Sequence, residues 1–469
     1  MPFIKKYRPL LILFAVAVIA RVLFFYTIFN GHGQDLIDSL VLSDGYYEIA
    51  TNLLEGRGFS HDSMPPFTPG AERMPLYPLF VTGLVYIFKS FWAVLAAQII
   101  IASITPLLAW VIAKYFLTNE KLAFTAGLIM ALEPFSVYLS TVLLSETLFT
   151  FLFLLGMNFC FKYLEEQNLK NAAFTGFYLG LATLTRPTIE YLPIFIALFI
   201  FWKFRKKLSG KLIYQILTML ILFVLVLSPW FWRNYSTFNK LFLTIQPSKN
   251  LYMYLVPSAV SLEQNIGLED ARKQFLEEEK KQTSLGIERV YAPENQSFFQ
   301  KRAVNELKKH PRGLAKSLIT TSYAFFSNDG YLTVLQHMGS LRDFRLESSS
   351  LTMFFNSPVK LLKKTAELIS GPGTLIISGR VIWILIAISF FYGAVFYLRN
   401  GPKRKSAELA LWSITYFLAA TAIIGLAVNA RFRESIKVFI LIFALYGMSR
   451  IYDELKNFFL PRAEKTKIL

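Results

Sequence analysis

Residues 41–60 read VLSDGYYEIATNLLEGRGFS, and residues 73–80, after a polar loop broken by prolines, read RMPLYPLF. The stretch directly follows the first apolar segment of the chain. Many membrane proteins have only a short turn there, whereas this chain has acidic, aromatic and basic side chains. This composition predicts a reaction centre at the membrane surface, beside the first membrane helix.

A helix over residues 43–54 would place Asp44, Tyr47 and Glu48 on one face, because residues three and four positions apart are neighbours on a helix. A simpler role is also open at its start. Ser43 or Asp44 in front of a helix is an ordinary N-cap, whose side chain accepts a backbone hydrogen bond. From position alone, capping is the more common role.

The bulk composition excludes a soluble domain. Of 469 residues, 54% are hydrophobic and 16% aromatic, and the mean hydropathy is +0.44. The apolar residues form long runs, and a run of about 20 crosses a bilayer as a helix. The net charge of +18 does not indicate a nucleic-acid partner, because Lys and Arg lie mainly at the ends of these runs. We predict an all-α polytopic membrane protein, in which the single Cys160 excludes an internal disulfide.

The sequence predicts ten membrane spans. With ten spans, every basic cluster between them lies on the cytoplasmic side, as the positive-inside rule requires. The first apolar run is expected to be a retained anchor, not a cleaved signal peptide. The predicted spans lie near residues 9–29, 91–113, 121–139, 142–162, 171–186, 188–204, 211–231, 374–398, 408–428 and 434–452.

This topology divides the chain into three parts. Residues 1–231 form an N-terminal transmembrane catalytic module with a first external loop over 30–90. Residues 232–373 form an external, mostly helical segment, and residues 374–469 supply the C-terminal membrane helices and a cytoplasmic tail.

Two short apolar segments do not count as crossings. The one from Pro75 to Phe88 is expected to be a re-entrant or interface-lying helix. The one from Gly313 to Phe326 is expected to pack at the outer surface.

Eight ionisable residues lie at the predicted outer helix ends, where a buried charge is expensive unless it is paired or faces a wet cavity. A shared external cavity would satisfy them together. For Glu133 and Arg433 we favour a structural ion pair or a helix-end role, and for Glu146 and Arg186 the odds are even. Arg21 is expected to reach the outer interface. The eight residues are Asp44, Arg73, Glu133, Glu146, Arg186, Arg233, Arg431 and Arg433.

An outer cavity with several arginines suits an anionic lipid headgroup, since guanidinium groups bind phosphate oxygens through paired hydrogen bonds. A carboxylate opposite them can act as general base towards a hydroxyl or an amine. The pattern predicts transfer from a phosphate-linked donor, in which Asp44 activates the acceptor and arginine stabilises the departing phosphate.

Five aromatic residues near the predicted outer helix ends are expected in the interfacial belt, although one of them could stack on a sugar. The four histidines are scattered singly, so no metal site is predicted. The aromatic residues are Tyr46, Tyr47, Tyr77, Trp230 and Trp232.

Six motifs in order along the chain resemble those of bacterial membrane glycosyltransferases with the GT-C fold. These enzymes belong to the superfamily of the dolichyl-phosphate-mannose protein mannosyltransferases and the lipid A aminoarabinose transferase. The resemblance covers about residues 1–240 and returns near Arg431. The motifs are DxxYEIAxNLLxGxGF, RxPLYPLF, LLSETLF, GLATLTRP, PWFWRN and ARFR.

The resemblance implies a GT-C fold with about 10–12 transmembrane helices and an external α-helical subdomain. It also implies an inverting sugar transfer from a polyprenyl-phosphate carrier, without a required cofactor and with a divalent metal at most optional. Asp44 matches the family's catalytic base, Arg73 the motif before the PLYP helix, and Arg431 a stretch linked to lipid phosphate. The family tends to have Asp-Glu where this chain has Asp44-Gly45, and Glu48 could replace the second acid in part.

We therefore expect a glycosyltransferase of the bacterial inner membrane, with Asp44 as base and the active site facing the periplasm. Its partners would be a polyprenyl-phosphate sugar, membrane lipids, and an acceptor glycan, lipid or protein. The residues expected to bind donor phosphate or substrate are Arg73, Arg186, Arg233, Arg431, Tyr47, Glu48 and Glu146.

Two alternatives stay open. A transporter or flippase of a lipid-linked sugar could use the same arginine-lined cavity, but the chain has no internal repeat of the kind many transporters show. An O-antigen polymerase or ligase would use a pyrophosphate donor.

Overall fold

The computed structural model describes residues 2–32, 44–282, 292–341, 358–369 and 371–459. Ser43, the start of the first external loop and the end of the basic tail lie outside these ranges. Within them the chain is helical and contains no β-strand, which confirms the predicted all-α architecture.

The described residues form 20 α-helices. In chain order they are α1 Pro2–His32, α2 Tyr46–Leu54, α3 Leu76–Phe88, α4 Trp92–Phe116, α5 Glu120–Leu132, α6 Pro134–Leu139, α7 Glu146–Glu166, α8 Leu169–Thr185, α9 Leu192–Phe204, α10 Gly210–Phe238, α11 Gln246–Asn250, α12 Val256–Gln264, α13 Leu268–Gln282, α14 Gln296–Lys309, α15 Pro311–Ser327, α16 Tyr331–His337, α17 Pro358–Ile369, α18 Thr374–Asn400, α19 Arg404–Ala422 and α20 Lys437–Phe459.

Seven helices in the described ranges are long and apolar enough to cross a membrane. The predicted spans near 121–139, 171–186 and 408–428 are also helical, but each departs from that pattern. The first is divided at Glu133 into α5 and α6, the second is the 17-residue α8, and α19 begins with charged residues. The seven are Tyr7–Asn30, Trp92–Phe116, Glu146–Glu166, Pro187–Lys207, Gly210–Phe238, Thr374–Asn400 and Ala430–Phe458.

Small residues allow the C-terminal helices to approach closely. A side chain at Gly393 in α18 would overlap the carbonyl oxygen of Phe443 in α20, and Gly447 lies against the backbone of the same site. Glycine at such crossings lets two membrane helices pack backbone to backbone. The helix α20, which begins directly after the segment that carries Arg431, is therefore held firmly against α18.

The segment after α10 has a small core of its own. The ring of Tyr252 packs edge-on against Phe275 and Phe299, with both centroid distances at 4.9 Å. Its start is joined to the first external loop, because Ile245 N donates to Ala71 O at 3.1 Å. The described part of residues 232–373 is mostly helical, and this segment lies directly beside the loop that contains Arg73.

Candidate active site

Five ionisable side chains from widely separated parts of the chain meet at helix ends. Two are carboxylates, Asp44 before α2 and Glu146 at the first position of α7. Three are guanidinium groups, Arg73 before α3, Arg186 after α8, and Arg431 in the 3-10 segment Ala430–Ile436. The structure thus brings together five of the eight charged residues that the sequence placed at outer helix ends.

Arg431 lies at the centre of this cluster. Its Nη2 donates to Asp44 Oδ2 at 2.6 Å, and its Nε donates to Glu146 Oε1 at 2.5 Å. The backbone is fixed locally, because Arg431 N donates to the side chain of Asn429 at 3.0 Å. One guanidinium group therefore bridges both carboxylates.

Arg73 and Arg186 each pair with one of the two carboxylates that Arg431 bridges. Arg73 Nη2 lies 3.5 Å from Asp44 Oδ1, on the carboxylate oxygen that Arg431 leaves open. Arg186 forms an ion pair with Glu146 Oε1. Its backbone is extended between α8 and the 3-10 turn that starts at Pro187, and this directs the residue away from the helix axis. The three arginines outnumber the two carboxylates, so the cluster carries one net positive charge.

The start of α2 differs from the sequence prediction. Asp44 and Gly45 both have a positive φ, 67° and 73°, so the helix begins at Tyr46 and not at residue 43. The expected shared face of Asp44, Tyr47 and Glu48 is therefore wrong. The N-cap position is Gly45, and no side chain caps this helix. Asp44 is free from a capping role and is turned towards the arginines, while Gly56, also at positive φ, follows the end of the helix as expected.

The charges around Asp44 control its protonation. Burial alone would raise the pKa of Asp44, but the nearby charges of Arg431 and Arg73 outweigh burial and lower the pKa to about 2. Its side chain is 27% exposed, whereas that of Glu146 is 2% exposed. Asp44 is thus the carboxylate of the pair that an incoming molecule can reach.

Arg73 has a second acidic neighbour. Glu72 lies 3.7 Å from its guanidinium group and 2.7 Å from Lys249 Nζ. Burial would raise the pKa of Glu72, but Arg73 and Lys249 together lower it. Sequence analysis missed both Glu72 and Lys249. The adjacency of Glu72 to Arg73 was an available signal, whereas Lys249 lies in a remote segment with no recognisable motif.

Three residues expected in the substrate site lie outside the cluster. Arg233 donates to Gly70 O at 2.8 Å, and its guanidinium group lies over the rings of Phe59, Trp230 and Phe238. Tyr47 packs against Phe91 at a centroid distance of 4.8 Å. Glu48 has one buried carboxylate oxygen without a hydrogen-bond partner among the described residues.

Glu133 and Arg433, two more of the eight charged residues, also lie outside the cluster. Glu133 forms the expected ion pair, with Lys437, and Arg433 donates to the backbone carbonyls of Phe325 and Asn328. The expectation for Arg21 was wrong. Its side chain is buried and donates to Ala17 O and Ala131 O, each at 3.0 Å, instead of reaching the outer interface.

The aromatic residues are mostly interior. Tyr46, Tyr77 and Trp230 are buried, so an interfacial belt does not describe them, whereas Trp232 is exposed as expected. Tyr46 donates to Ser145 Oγ at 3.0 Å, directly beside Glu146. The described residues contain no group of three His, Cys, Asp or Glu residues that could hold a metal ion.

Sequence comparison matches part of the chain to a known family. The family described as dolichyl-phosphate-mannose-protein mannosyltransferase matches residues 69–232, a range that includes Arg73, Glu146 and Arg186. No curated protein matches the chain significantly by sequence. The family match confirms the superfamily resemblance that the motifs indicated.

Two solved structures are similar to the chain. The archaeal oligosaccharyltransferase AglB from Archaeoglobus fulgidus, in complex with an inhibitory peptide and a dolichol-phosphate, is 17% identical with a TM-score of 0.47, over 99% of this chain and 52% of that one. ArnT from Cupriavidus metallidurans in the apo state is 10% identical with a TM-score of 0.32, over 86% and 71%. This chain spans about half the length of the archaeal chain.

Proposed function

We propose that this chain, a polytopic membrane protein of the GT-C superfamily, transfers a sugar from a polyprenyl-phosphate donor to an acceptor hydroxyl or amine. The observation that supports this most directly is the cluster of three guanidinium groups around Asp44 and Glu146. The name of the matching family contains a lipid-phosphate-linked sugar, which is the same class of donor. The distribution of basic loop residues supports an external site, and the resemblance to bacterial membrane glycosyltransferases supports a periplasmic one.

The net charge of the cluster favours a monophosphate donor. A sugar joined to a lipid through one phosphate carries one negative charge, which balances the one positive charge that remains in the cluster. A pyrophosphate donor carries two, so one charge would stay uncompensated in a largely buried site. This argues against the O-antigen polymerase or ligase alternative.

A groove between α9 and α19 suits the lipid part of such a donor. The groove has a volume of about 320 Å³ and is lined by apolar side chains that include Leu192, Phe199 and Trp412. The helix α9 starts a few residues after Arg186, and α19 ends a few residues before the segment with Arg431. A prenyl chain in the groove would place its phosphate near both arginines.

In the proposed reaction Asp44 accepts a proton from the acceptor, whose oxygen or nitrogen then forms a bond to the anomeric carbon. The bond between that carbon and the phosphate oxygen breaks, and the electron pair leaves with the phosphate. Arg431 and Arg186 stabilise the polyprenyl phosphate that departs. Attack opposite the leaving group inverts the anomeric centre, and Asp44 later releases its proton to water.

Donor binding prepares Asp44 for this role. In the free protein Arg431 and Arg73 occupy both carboxylate oxygens, and a carboxylate held in this way is a weak base. A phosphate group competes for the same guanidinium groups. As the arginines turn to the phosphate, one oxygen of Asp44 becomes available and its basicity rises. The proton is therefore taken only when the donor is in place.

The test is transfer from radiolabelled polyprenyl-phosphate sugars by purified protein, with lipid and glycan extracts as acceptors. Asp44→Asn should lose transfer by about 10²–10⁴-fold, the usual contribution of a general base, while it still binds the donor. Glu55→Gln is the matched control, because Glu55 pairs with Arg57 in the same loop but lies outside the cluster.

Undiminished transfer by Asp44→Asn would remove this residue from the chemistry. If the wild-type protein moved the donor across a liposome membrane without cleaving it, the transporter alternative would replace the proposed reaction.

A further inference from the structure

The segment Ala430–Ile436 that carries Arg431 is anchored by several of its other polar side chains. Arg433 donates to Phe325 O at 2.7 Å and lies over the ring of Trp383 at 3.5 Å. Ser435 Oγ lies 3.1 Å from Thr150 Oγ1 in α7. None of these contacts involves Asp44, Glu146 or the other arginines of the cluster, so they hold the segment independently of the ion pairs in the candidate site.

A further anchor is a buried charge cluster beside the segment. Lys437 Nζ lies 2.8 Å from Glu133 Oε2 and 2.8 Å from Glu434 Oε2. Ser136 Oγ lies between the carboxylates, 2.9 Å from Glu133 and 2.6 Å from Glu434. All four side chains are buried, and none takes part in the proposed reaction.

Arg21 belongs to the surroundings of this group. Both Arg21 and Arg433 interact electrostatically with Glu434 and Glu133, so these two carboxylates are compensated by three buried cations, Lys437 included. Removing one partner from such a group leaves an uncompensated charge in an apolar interior. The group therefore joins α1, the α5–α6 break and the start of α20 into one unit next to Arg431.

A cavity of about 20 Å³ separates this group from the active site. Its lining includes Arg21, Ser136 and Glu434 on one side and Glu146 on the other. Glu146 Oε2 and Arg21 Nε are buried and have no hydrogen-bond partner among the described residues. The volume fits about one water molecule, and the lining offers the polar partners that a buried water needs.

We propose that Glu133, Glu434 and Lys437 are positioning residues for Arg431, and that one water in the cavity extends their network to Glu146. In this arrangement the buried group fixes the position and orientation of the 430–436 segment. The water orients the Glu146 carboxylate, whose other oxygen holds both Arg186 and Arg431. The proposal rests on the proposed function only in that Arg431 binds phosphate.

The test measures the segment and the phosphate site separately. In Glu434→Gln we expect faster backbone hydrogen exchange over residues 428–437 and an affinity for polyprenyl phosphate lowered on the order of tenfold. The double variant Glu434→Gln/Lys437→Met keeps the charge balance and should fold even if the single variant does not. It should show the same two changes, because the anchor is lost in both.

A double-mutant cycle separates positioning from general destabilisation. If Glu434 acts through Arg431, the loss of affinity caused by Glu434→Gln should largely disappear in an Arg431→Lys background. Glu408→Gln is the control, because Glu408 pairs with Lys203 at the far end of α9. It should leave exchange over 428–437 and phosphate affinity unchanged. Fully additive losses, or unchanged exchange over 428–437 in the charge-balanced variant, would overturn the positioning role.

Ala102→Val tests the water, because Ala102 lines the cavity and carries no polar group. Filling the cavity should lower phosphate affinity, and an unchanged affinity would overturn the water bridge. The exchange measurement needs no substrate. A wild-type protein that neither transfers sugar nor binds polyprenyl phosphate would therefore refute the proposed function, while the exchange data would still decide the positioning role.

Discussion

Arg431 binds Asp44 across 387 residues of chain, with Nη2 donating to Oδ2 at 2.6 Å. The carboxylate belongs to the first external loop, and the guanidinium group belongs to the segment just before the last helix. The proposed base and the proposed phosphate ligand are therefore supplied by opposite ends of the sequence. The site exists only when the N-terminal and C-terminal membrane helices have packed together.

Replacing Arg431 should impair donor binding more than any other single change in the cluster. Arg431→Gln removes the guanidinium group that the proposed donor phosphate binds, and a hydrogen bond to a charged group contributes about 1.5–3 kcal/mol. We expect the affinity for polyprenyl phosphate to fall by at least about tenfold. Arg431→Lys keeps the charge but lacks the planar guanidinium group that binds phosphate through paired hydrogen bonds, so its affinity should be intermediate. Titration of the purified protein with polyprenyl phosphate measures both.

Arg450→Gln is the control for Arg431, because Arg450 lies near the other end of α20, over the ring of Tyr446. Its affinity should equal that of the wild type. An Arg431→Gln protein with wild-type affinity would show that the phosphate binds elsewhere.

The pH dependence of transfer should differ between the free protein and the donor complex. In the free protein Asp44 has a pKa of about 2, below its usual value of 3.8. The stability that its ionised form contributes is thus complete above about pH 4 and is lost as the pH falls towards 2. When Arg431 and Arg73 bind the phosphate instead of Asp44, the pKa of Asp44 in the complex should rise.

Since kcat/KM reports the free protein and kcat reports the complex, the acid limb of kcat should lie at the higher pH. Rate profiles of the wild type and of Arg431→Gln test this. In the variant, the acid limb of kcat/KM should move upward towards that of kcat. If the acid limbs of kcat/KM and kcat lay at the same pH in the wild type, this would contradict the proposal that the arginines move from Asp44 to the phosphate.

The sequence motifs predicted which residues meet in the charge cluster more accurately than they predicted the directions of the side chains. Asp44, Glu146, Arg186 and Arg431 could be predicted because each lies at the end of an apolar run, where an unpaired charge is expensive. The direction of Arg21 could not be predicted in this way. It turns inward because Glu133 and Glu434 lie nearby in the folded protein, and that proximity depends on tertiary packing.

Local backbone conformation explains the misplaced start of α2. Asp44 and Gly45, two successive residues at positive φ, precede the helix, and the sequence signal Ser-Asp-Gly fits both a cap and a turn. Arg233 has a similar explanation. Its motif predicts a position at an outer helix end, like those of the other arginines, but three aromatic rings and the Gly70 carbonyl hold it outside the cluster.

Arg186 and Arg233 should therefore behave differently although both were expected to bind phosphate. Arg186→Gln leaves Glu146 with one guanidinium partner and should weaken polyprenyl phosphate binding severalfold. Arg233→Gln removes the contacts with Gly70 and the rings, so it should lower the thermal stability but change the phosphate affinity less than twofold. Titration and thermal unfolding of both variants in one detergent compare them. Equal losses of phosphate affinity in the two variants would show that Arg233 also contributes to phosphate binding.

Gly45 offers the sharpest test of the local geometry around Asp44. Gly45 and Gly56 share a φ of 73°, a conformation that costs a residue with a side chain about 1–3 kcal/mol. They differ in their surroundings. A Cβ on Gly45 would lie 2.5 Å from His61 Nδ1, whereas a Cβ on Gly56 has no neighbour within 4 Å. A side chain at residue 45 would therefore displace the His61 imidazole.

We expect Gly45→Ala to lower both transfer and thermal stability more than Gly56→Ala does, because only the first displaces a neighbouring side chain as well as straining the backbone. Since the imidazole is the obstacle, His61→Ala should restore part of the transfer lost in Gly45→Ala. The same change should give no rescue in Gly56→Ala. If the two glycine variants lost equal activity, backbone strain alone would account for both, and His61 would have no part in placing Asp44.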